Sequence, residues 1–193
     1  MHKLCFIDVE TTGLDAKLNG IIQIAGQIVF GQNTEYDVIE TFNFSVQPFT
    51  FDKIDQRALD VNGVTQNQLS QYKTPKEIFP EFLAVLNRHC EKNNPADKYF
   101  FVGFNAKFDD DFLRAFFDKI GNKEYSKFFY RPALDVMQLA LFTLREERAS
   151  MPNFKLATVS QFLNIQAEGN LHNAMTDILL TKGIYFHCIN LLK

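Results

Sequence analysis

The chain has 193 residues, 46% of them hydrophobic and 22% charged, which is typical of a folded globular protein and excludes a low-complexity or disordered one. Its 23 aspartate and glutamate residues outnumber its 20 lysine and arginine residues, and the net charge of −3 excludes a protein that coats nucleic acid through bulk positive charge. At this length we expect residues 1–193 to form a single domain.

The cysteines and the apolar runs indicate the cellular compartment of the protein. Cys5, Cys90 and Cys188 are far apart and odd in number, so they fit neither a disulfide framework nor a zinc site. The chain reaches Asp8 without the apolar run of a signal peptide, and no stretch approaches the roughly 18 apolar residues of a membrane span. We therefore expect a cytoplasmic protein with no membrane partner.

Three apolar runs rich in β-branched residues predict strands in the first quarter of the chain. They cover residues 4–9, 21–30 and 36–46. Residues 31–33 have the composition of a hairpin turn between the second and third strands. We therefore expect a three-stranded meander.

Helices dominate the remainder of the chain. The predicted helices lie within residues 52–70, from Pro75 to a stop at 93–95, from Ala106 onward, and at 136–144, 156–163 and 173–192. Asn105 is the predicted N-cap of the helix that begins at Ala106. Two further strands, at 99–104 and 133–134, alternate with these helices as parallel crossovers do. This order predicts an α/β fold in which a mixed sheet is flanked by helices on both faces.

Asp8 and Glu10 are the first candidates for chemistry. They lie two residues apart at the end of an otherwise apolar strand, so both side chains leave the strand on one face. Their mutual repulsion and desolvation are unfavourable unless a cation joins them. The simpler alternative is a strand whose polar end runs out into solvent.

Asp109 lies in the first turn of the helix that follows a buried strand, where α/β sheets place their ligands. A carboxylate there also complements the helix dipole, which is the alternative explanation. We expect Asp110 and Asp111 to face solvent, because Phe108 and Phe112 mark the buried side of the helix.

His172 and Asp177 are five residues apart, and at 100° per residue they would diverge by about 140° on one helix. They converge only if His172 lies in the preceding loop, which the nearby Gly169 favours. The alternative is an unrelated loop histidine and a helix-start acid.

Taken together, four carboxylates and one histidine come from three separate strand ends and helix starts. An oxygen-rich, cysteine-free set of ligands suits Mg²⁺ or Mn²⁺ rather than Zn²⁺. Two such ions can clamp the attacking and leaving oxygens of a phosphoryl displacement, and a histidine can accept the proton of the attacking water.

Three segments resemble the motifs of the DEDDh family of 3′→5′ exonucleases, which includes the proofreading epsilon subunit of bacterial DNA polymerase III. The segments are Asp-Val-Glu-Thr-Thr-Gly-Leu at 8–14, Asn-Ala-Lys-Phe-Asp at 105–109, and His-Asn-Ala at 172–174 with Asp177. The match covers nearly the whole chain in the family's order. The resemblance implies a single exonuclease domain with a ribonuclease-H-like fold and a five-stranded mixed sheet.

The resemblance also implies roles for the five residues. Asp8 would bridge two divalent ions, Mg²⁺ or Mn²⁺, and Glu10 and Asp177 would complete one metal site. Asp109 would hold the second ion largely through water. His172 would be the general base.

Six further residues would contact the terminal nucleotide if the resemblance holds, with Leu14 forming an apolar surface against the base. They are Thr11, Thr12, Gly13, Leu14, Asn105 and Phe108. Phe104 and Asn62 depart from the family pattern, in which many relatives have histidine. Neither position is a metal ligand, so the departures concern substrate preference.

The predicted activity is release of 5′-mononucleotides from the 3′ end of single-stranded nucleic acid, with DNA favoured. One alternative is an exoribonuclease that acts on RNA 3′ ends. Another is a non-catalytic module that docks on a polymerase, although such a module would not need the four carboxylates, all of which are present. A DNA polymerase and a second copy of the chain both remain open as partners.

Lys119, Lys123 and Lys127 precede the aromatic residues at 128–130 and could guide a single strand by charge and stacking. A solvated helix end followed by core aromatics is the interpretation we favour, because the chain contains 21 phenylalanines.

Overall fold

A computed structural model describes residues 2–32, 35–91, 93–167 and 173–192. Its five-stranded sheet has the order β3-β2-β1-β4-β5. The strands are β1 His2–Thr11, β2 Ile21–Gln32, β3 Glu35–Ser45, β4 Phe100–Gly103 and β5 Leu134–Asp135. β1, β2 and β3 are antiparallel neighbours, whereas β4 and β5 run parallel to β1. The predicted mixed sheet is confirmed; part of the predicted hairpin at 31–33 lies outside the described residues.

The described part of the chain contains eight α-helices. They are α1 Gln56–Asn62, α2 Gln66–Leu69, α3 Pro75–Arg88, α4 Ala106–Ile120, α5 Tyr125–Phe128, α6 Val136–Thr143, α7 Leu156–Phe162 and α8 Ala174–Leu191. α1 ends at Gly63, whose φ of 65° is accessible to glycine at little cost. α3 begins with a capping box between Thr74 and Glu77, but it ends at Arg88, before the stop predicted at 93–95.

Helices cover both faces of the sheet, as predicted. α3 and α4 pack on one face through an aromatic core that includes Phe82, Phe112 and Phe117. α6, α7 and α8 pack on the other face around Phe6 and Val102. None of the described helices is both long and apolar enough to cross a membrane.

Two predictions about charged residues were wrong. Asp110 is buried rather than solvent-facing, because the Tyr125 hydroxyl donates to its carboxylate and Arg114 Nε donates to it at 3.1 Å. Lys119 is also largely buried, and its Nζ lies 2.6 Å from Asp52 Oδ1. The prediction that core aromatic residues follow Lys119, Lys123 and Lys127 is confirmed, since Phe128 and Phe129 lie in the core.

Candidate active site

Three carboxylates meet at the end of β1. Leu4 and Phe6 face α8, and the alternation of the strand carries Asp8 and Glu10 onto the same face. Asp177 lies in the first turn of α8. Asp8, Glu10 and Asp177 each offer an oxygen within 4.8 Å of the others, and all three are partly buried. The strand prediction and the helix-start prediction thus meet in one cluster, which we call the carboxylate cluster.

Asp109 lies beside the carboxylate cluster rather than within it. It occupies the first turn of α4 and is only 4% exposed. Its Oδ1 accepts a hydrogen bond from the amide of Val9, between Asp8 and Glu10, at 3.1 Å. This bond ties the start of α4 to the end of β1.

The loop after β1 is held by hydrogen bonds from within the protein. The Thr12 hydroxyl donates to the carbonyl of Lys53 at 2.7 Å and accepts from the amide of Gly20 at 2.8 Å. The backbone amide of Thr12 donates to the carbonyl of Gly20, and the backbone carbonyl of Thr12 accepts from the amide of Asp55. A Cβ at Gly13 would lie 2.4 Å from the Asn19 side chain, so a larger residue here would displace Asn19 from its hydrogen bonds to Asp15, Thr12 and Lys53. Thr12 therefore shapes the loop, and a nucleotide contact by its side chain stays a prediction.

A cavity of about 400 Å³ opens beside Glu10. Its volume lies within the roughly 300–1,000 Å³ of small-molecule sites. Of the residues predicted to contact a nucleotide, Thr11, Gly13, Leu14 and Phe108 line it. Leu14 is 88% exposed and lines the cavity, so its side chain presents an apolar surface to it.

The cavity also includes residues that the sequence analysis missed as site residues. They are Val9, Asp55, Arg57, Ala58 and Val61. Asn62, singled out earlier as a departure, also lines the cavity, and its Nδ2 donates to the Thr11 carbonyl at 3.0 Å. The N-cap at Asp55 and the stop at Gly63 are the sequence signals that locate this wall, but they do not show which face of α1 it presents.

Asn105 is a predicted nucleotide contact, and His172 is the predicted general base. Asn105 is exposed and does not line the cavity; it occupies the N-cap position of α4, but its side chain makes no capping hydrogen bond. His172 lies outside the described residues, so its role as general base stays a prediction.

A family model for exonucleases, named for ribonuclease T, matches residues 5–185. This chain belongs to that exonuclease family. The predicted family is confirmed.

The chain is similar to a PolC-type DNA polymerase III and to ribonuclease T, and it covers very different shares of their lengths. It is 27% identical over 188 residues to the PolC-type DNA polymerase III of Thermotoga petrophila, covering 97% of this chain but only 12% of the polymerase. It is also 27% identical to ribonuclease T of Buchnera aphidicola, covering 95% of this chain and 82% of that protein.

The fold resembles E. coli exonuclease I, solved in complex with a dT13 oligonucleotide, with a TM-score of 0.76 and 20% identity. The match covers 97% of this chain and 41% of exonuclease I. This likeness confirms the predicted ribonuclease-H-like α/β fold.

Three carboxyl groups at the end of β1 and the start of α4, those of Asp8, Glu10 and Asp109, resist ionisation. Burial raises the pKa of Asp8 well above its usual range, and the charges of Asp109, Glu10 and Asp177 raise it further. Burial and the nearby Asp177 raise the pKa of Glu10 to about 7. Burial also raises the pKa of Asp109, although the Val9 amide donates to it. A cation would relieve this repulsion, and carboxylate oxygens are the donors that Mg²⁺ and Mn²⁺ prefer, so the site fits such an ion.

We expect the metal-free exonuclease to lose stability as the pH rises from 5 to 8. Glu10 has a folded-state pKa of about 7 against an ordinary value of 4.5, so the folded state binds the proton more tightly. Its contribution is present below pH 4.5 and is lost as the pH passes 7, on the order of 3 kcal/mol in the free energy of unfolding. Thermal unfolding in chelator at several pH values measures this effect.

Two controls make the stability experiment specific. Glu10→Gln should reduce the pH dependence without abolishing it, because the pKa values of Asp8 and Asp109 are also raised, and Mn²⁺ should restore stability at pH 8 by binding the folded state. Glu40, Glu77 and Asp97 have lowered pKa values, so they titrate below this window and do not mask the effect. A melting temperature that rises between pH 5 and 8 would contradict the assignment.

Proposed function

We propose that this exonuclease removes 5′-mononucleotides from the 3′ end of single-stranded DNA, using two divalent ions, Mg²⁺ or Mn²⁺. The observation that carries the proposal is the carboxylate cluster beside a cavity large enough for a nucleotide. We also propose that residues 1–193 form a single exonuclease domain, since one sheet with a helical layer on each face accounts for the described residues.

The carboxylates would divide the metal ligation between them. Asp8 would contact both ions, with Glu10 and Asp177 completing one site and Asp109 serving the other largely through water. When bound, such ions supply Lewis-acid activation and charge neutralisation at a phosphodiester. The position of Asp109 beside the carboxylate cluster, rather than in it, is consistent with this division.

The remaining residues would orient the substrate and move a proton. Leu14 and Phe108 would hold the terminal base between apolar surfaces, and the Thr11–Gly13 backbone would lie along the sugar. Arg57 supplies a cation to the same cavity wall. His172 would accept a proton from the attacking water, as imidazoles do near neutral pH.

Leu14→Ala should raise the KM for single-stranded DNA more than it lowers kcat. The base contact is made in the ground state as well as in the transition state, so its loss affects binding uniformly. Steady-state kinetics on a short oligonucleotide measures both constants. Leu18→Ala is the matched control, because Leu18 is 45% exposed on the same loop but does not line the cavity. Equal falls in kcat and kcat/KM would instead assign Leu14 to the metal site.

RNA 3′ ends are the second candidate substrate. The similarity to ribonuclease T over 82% of that protein's length favours them. Single-stranded DNA and RNA of one sequence, labelled at the 5′ end and incubated side by side with Mg²⁺ or Mn²⁺, distinguish the two. We expect the DNA to shorten faster, with no shortening in chelator. Faster degradation of the RNA would contradict the preference for DNA and make RNA 3′ ends the substrate.

We further propose a cytoplasmic enzyme whose partner, where it has one, is a DNA polymerase or a second copy of the chain. The free thiols of Cys5, Cys90 and Cys188 are all buried, which suits a reducing compartment. The PolC-type relatives support the polymerase, because they carry the matching segment within a polymerase chain.

A further inference from the structure

We propose that Asp135 is a positioning residue that holds the start of α4, and thereby Asp109, against the end of β1. The parallel pairing of β4 and β5 places Asp135 beside Gly103, at the point where both strands end. Asp135 Oδ1 accepts hydrogen bonds from the amide of Asn105 at 3.1 Å and from the amide of Met137 at 2.9 Å. One carboxylate oxygen therefore joins the starts of α4 and α6.

The bond to Asn105 acts on an unusual backbone conformation. Asn105 has φ 64° and ψ 45°, in the left-handed region, which residues other than glycine adopt rarely and asparagine more readily than most. This conformation turns the chain from β4 into α4 within two residues after Gly103. The Asn105 side chain makes no capping hydrogen bond, so the turn is not held by its own carboxamide. Asp135 instead holds the amide of that residue from the neighbouring strand.

The consequence for the site follows from the length of one helical turn. Asp109 lies four residues after Asn105, and its Oδ1 accepts from the Val9 amide at 3.1 Å. The first turn of α4 is thus fixed at Asn105 by Asp135 and at Asp109 by β1. If the hydrogen bond from the Asn105 amide to Asp135 is lost, Asn105 can relax towards an ordinary backbone conformation and shift Asp109 relative to Asp8. A displacement of about 1 Å in catalytic geometry can lower the rate on the order of 100-fold.

Asp135 also caps α6, and a test must separate the two contacts. Serine is a good N-cap, so Asp135→Ser should keep the bond to Met137. Its shorter side chain should not reach Asn105. Asp135→Asn keeps an acceptor oxygen at the same position and removes only the charge. The pair of variants therefore isolates the hydrogen bond to Asn105.

The proposal rests on the proposed function, because it concerns the same carboxylates. For the wild type and both variants, we would measure kcat and KM on single-stranded DNA, Mn²⁺ affinity by calorimetry, and thermal unfolding. Asp135→Ser should lower kcat about 10- to 100-fold, as supporting residues of metal sites do, with KM and melting temperature close to wild type. Asp135→Asn should retain wild-type kcat.

Two outcomes would overturn the proposal. Wild-type kcat in Asp135→Ser would show that the Asn105 contact is dispensable, and an equal loss in Asp135→Asn would show that charge acts instead of the hydrogen bond. If the wild type itself does not degrade single-stranded DNA, the proposed function fails. Mn²⁺ affinity then decides on Asp135: weaker binding in Asp135→Ser than in Asp135→Asn supports positioning, and equal binding refutes it.

Discussion

Replacing Asp8 with asparagine should abolish hydrolysis and raise the stability of the metal-free protein. Asp8 is the carboxylate whose ionisation is opposed by three others, Asp109, Glu10 and Asp177. Metal ions supply several kcal/mol of transition-state stabilisation, so losing their shared ligand should lower the rate by about 1,000-fold or more. The same substitution removes a charge from a crowded acidic site, which should raise the melting temperature in chelator at pH 8.

The two readouts together separate a catalytic residue from a structural one. Asp37→Asn is the matched control, since Asp37 is exposed on the edge strand β3, and it should leave both the rate and the melting temperature unchanged. A fully active Asp8→Asn variant would remove the proposed metal site. A variant that is inactive because it melts at a lower temperature would make Asp8 a structural residue.

His172→Ala should lower kcat by about 100- to 10,000-fold, the usual contribution of a general base. Because the carboxylates supply the metal ligands, Mn²⁺ affinity should stay near wild type. Single-turnover rates between about pH 5.5 and 9 bracket the ordinary histidine pKa of about 6.5. The acidic limb of the pH–rate profile should flatten in the variant.

The control for this experiment is His2→Ala, because His2 is exposed at the opposite end of β1 from Asp8. Strongly weakened Mn²⁺ binding in His172→Ala would make the residue a metal ligand. An unchanged rate would make it a bystander. Either result replaces the mechanism and leaves the fold assignment standing.

The sequence was sufficient for the parts of the site that depend on local periodicity. Alternation along one strand places Asp8 and Glu10 on one face, and a helix start places Asp177 and Asp109 in first turns. The approach of Asp109 to the end of β1 follows from the parallel pairing of β1 with β4, which the alternation of strands and helices predicts.

The parts that escaped prediction depend on contacts between distant elements. Asp110 lies on the polar side of its helix by periodicity, yet Tyr125, fifteen residues later, returns to cover it. Arg57 belongs to a cavity wall that exists only because α1 packs beside the loop after β1. The left-handed conformation of Asn105 carries no sequence signal beyond the tolerance of asparagine for it.

A single oligonucleotide with different labels at its two ends tests the central claim most directly. The strand is incubated with the exonuclease and Mn²⁺, and both labels are followed in one time course. We predict that the 3′ label leaves first as a mononucleotide while the 5′-labelled strand shortens one nucleotide at a time, and that chelator stops both. Early release of the 5′ label, or fragments cut from the interior, would contradict hydrolysis from the 3′ end at the carboxylate cluster.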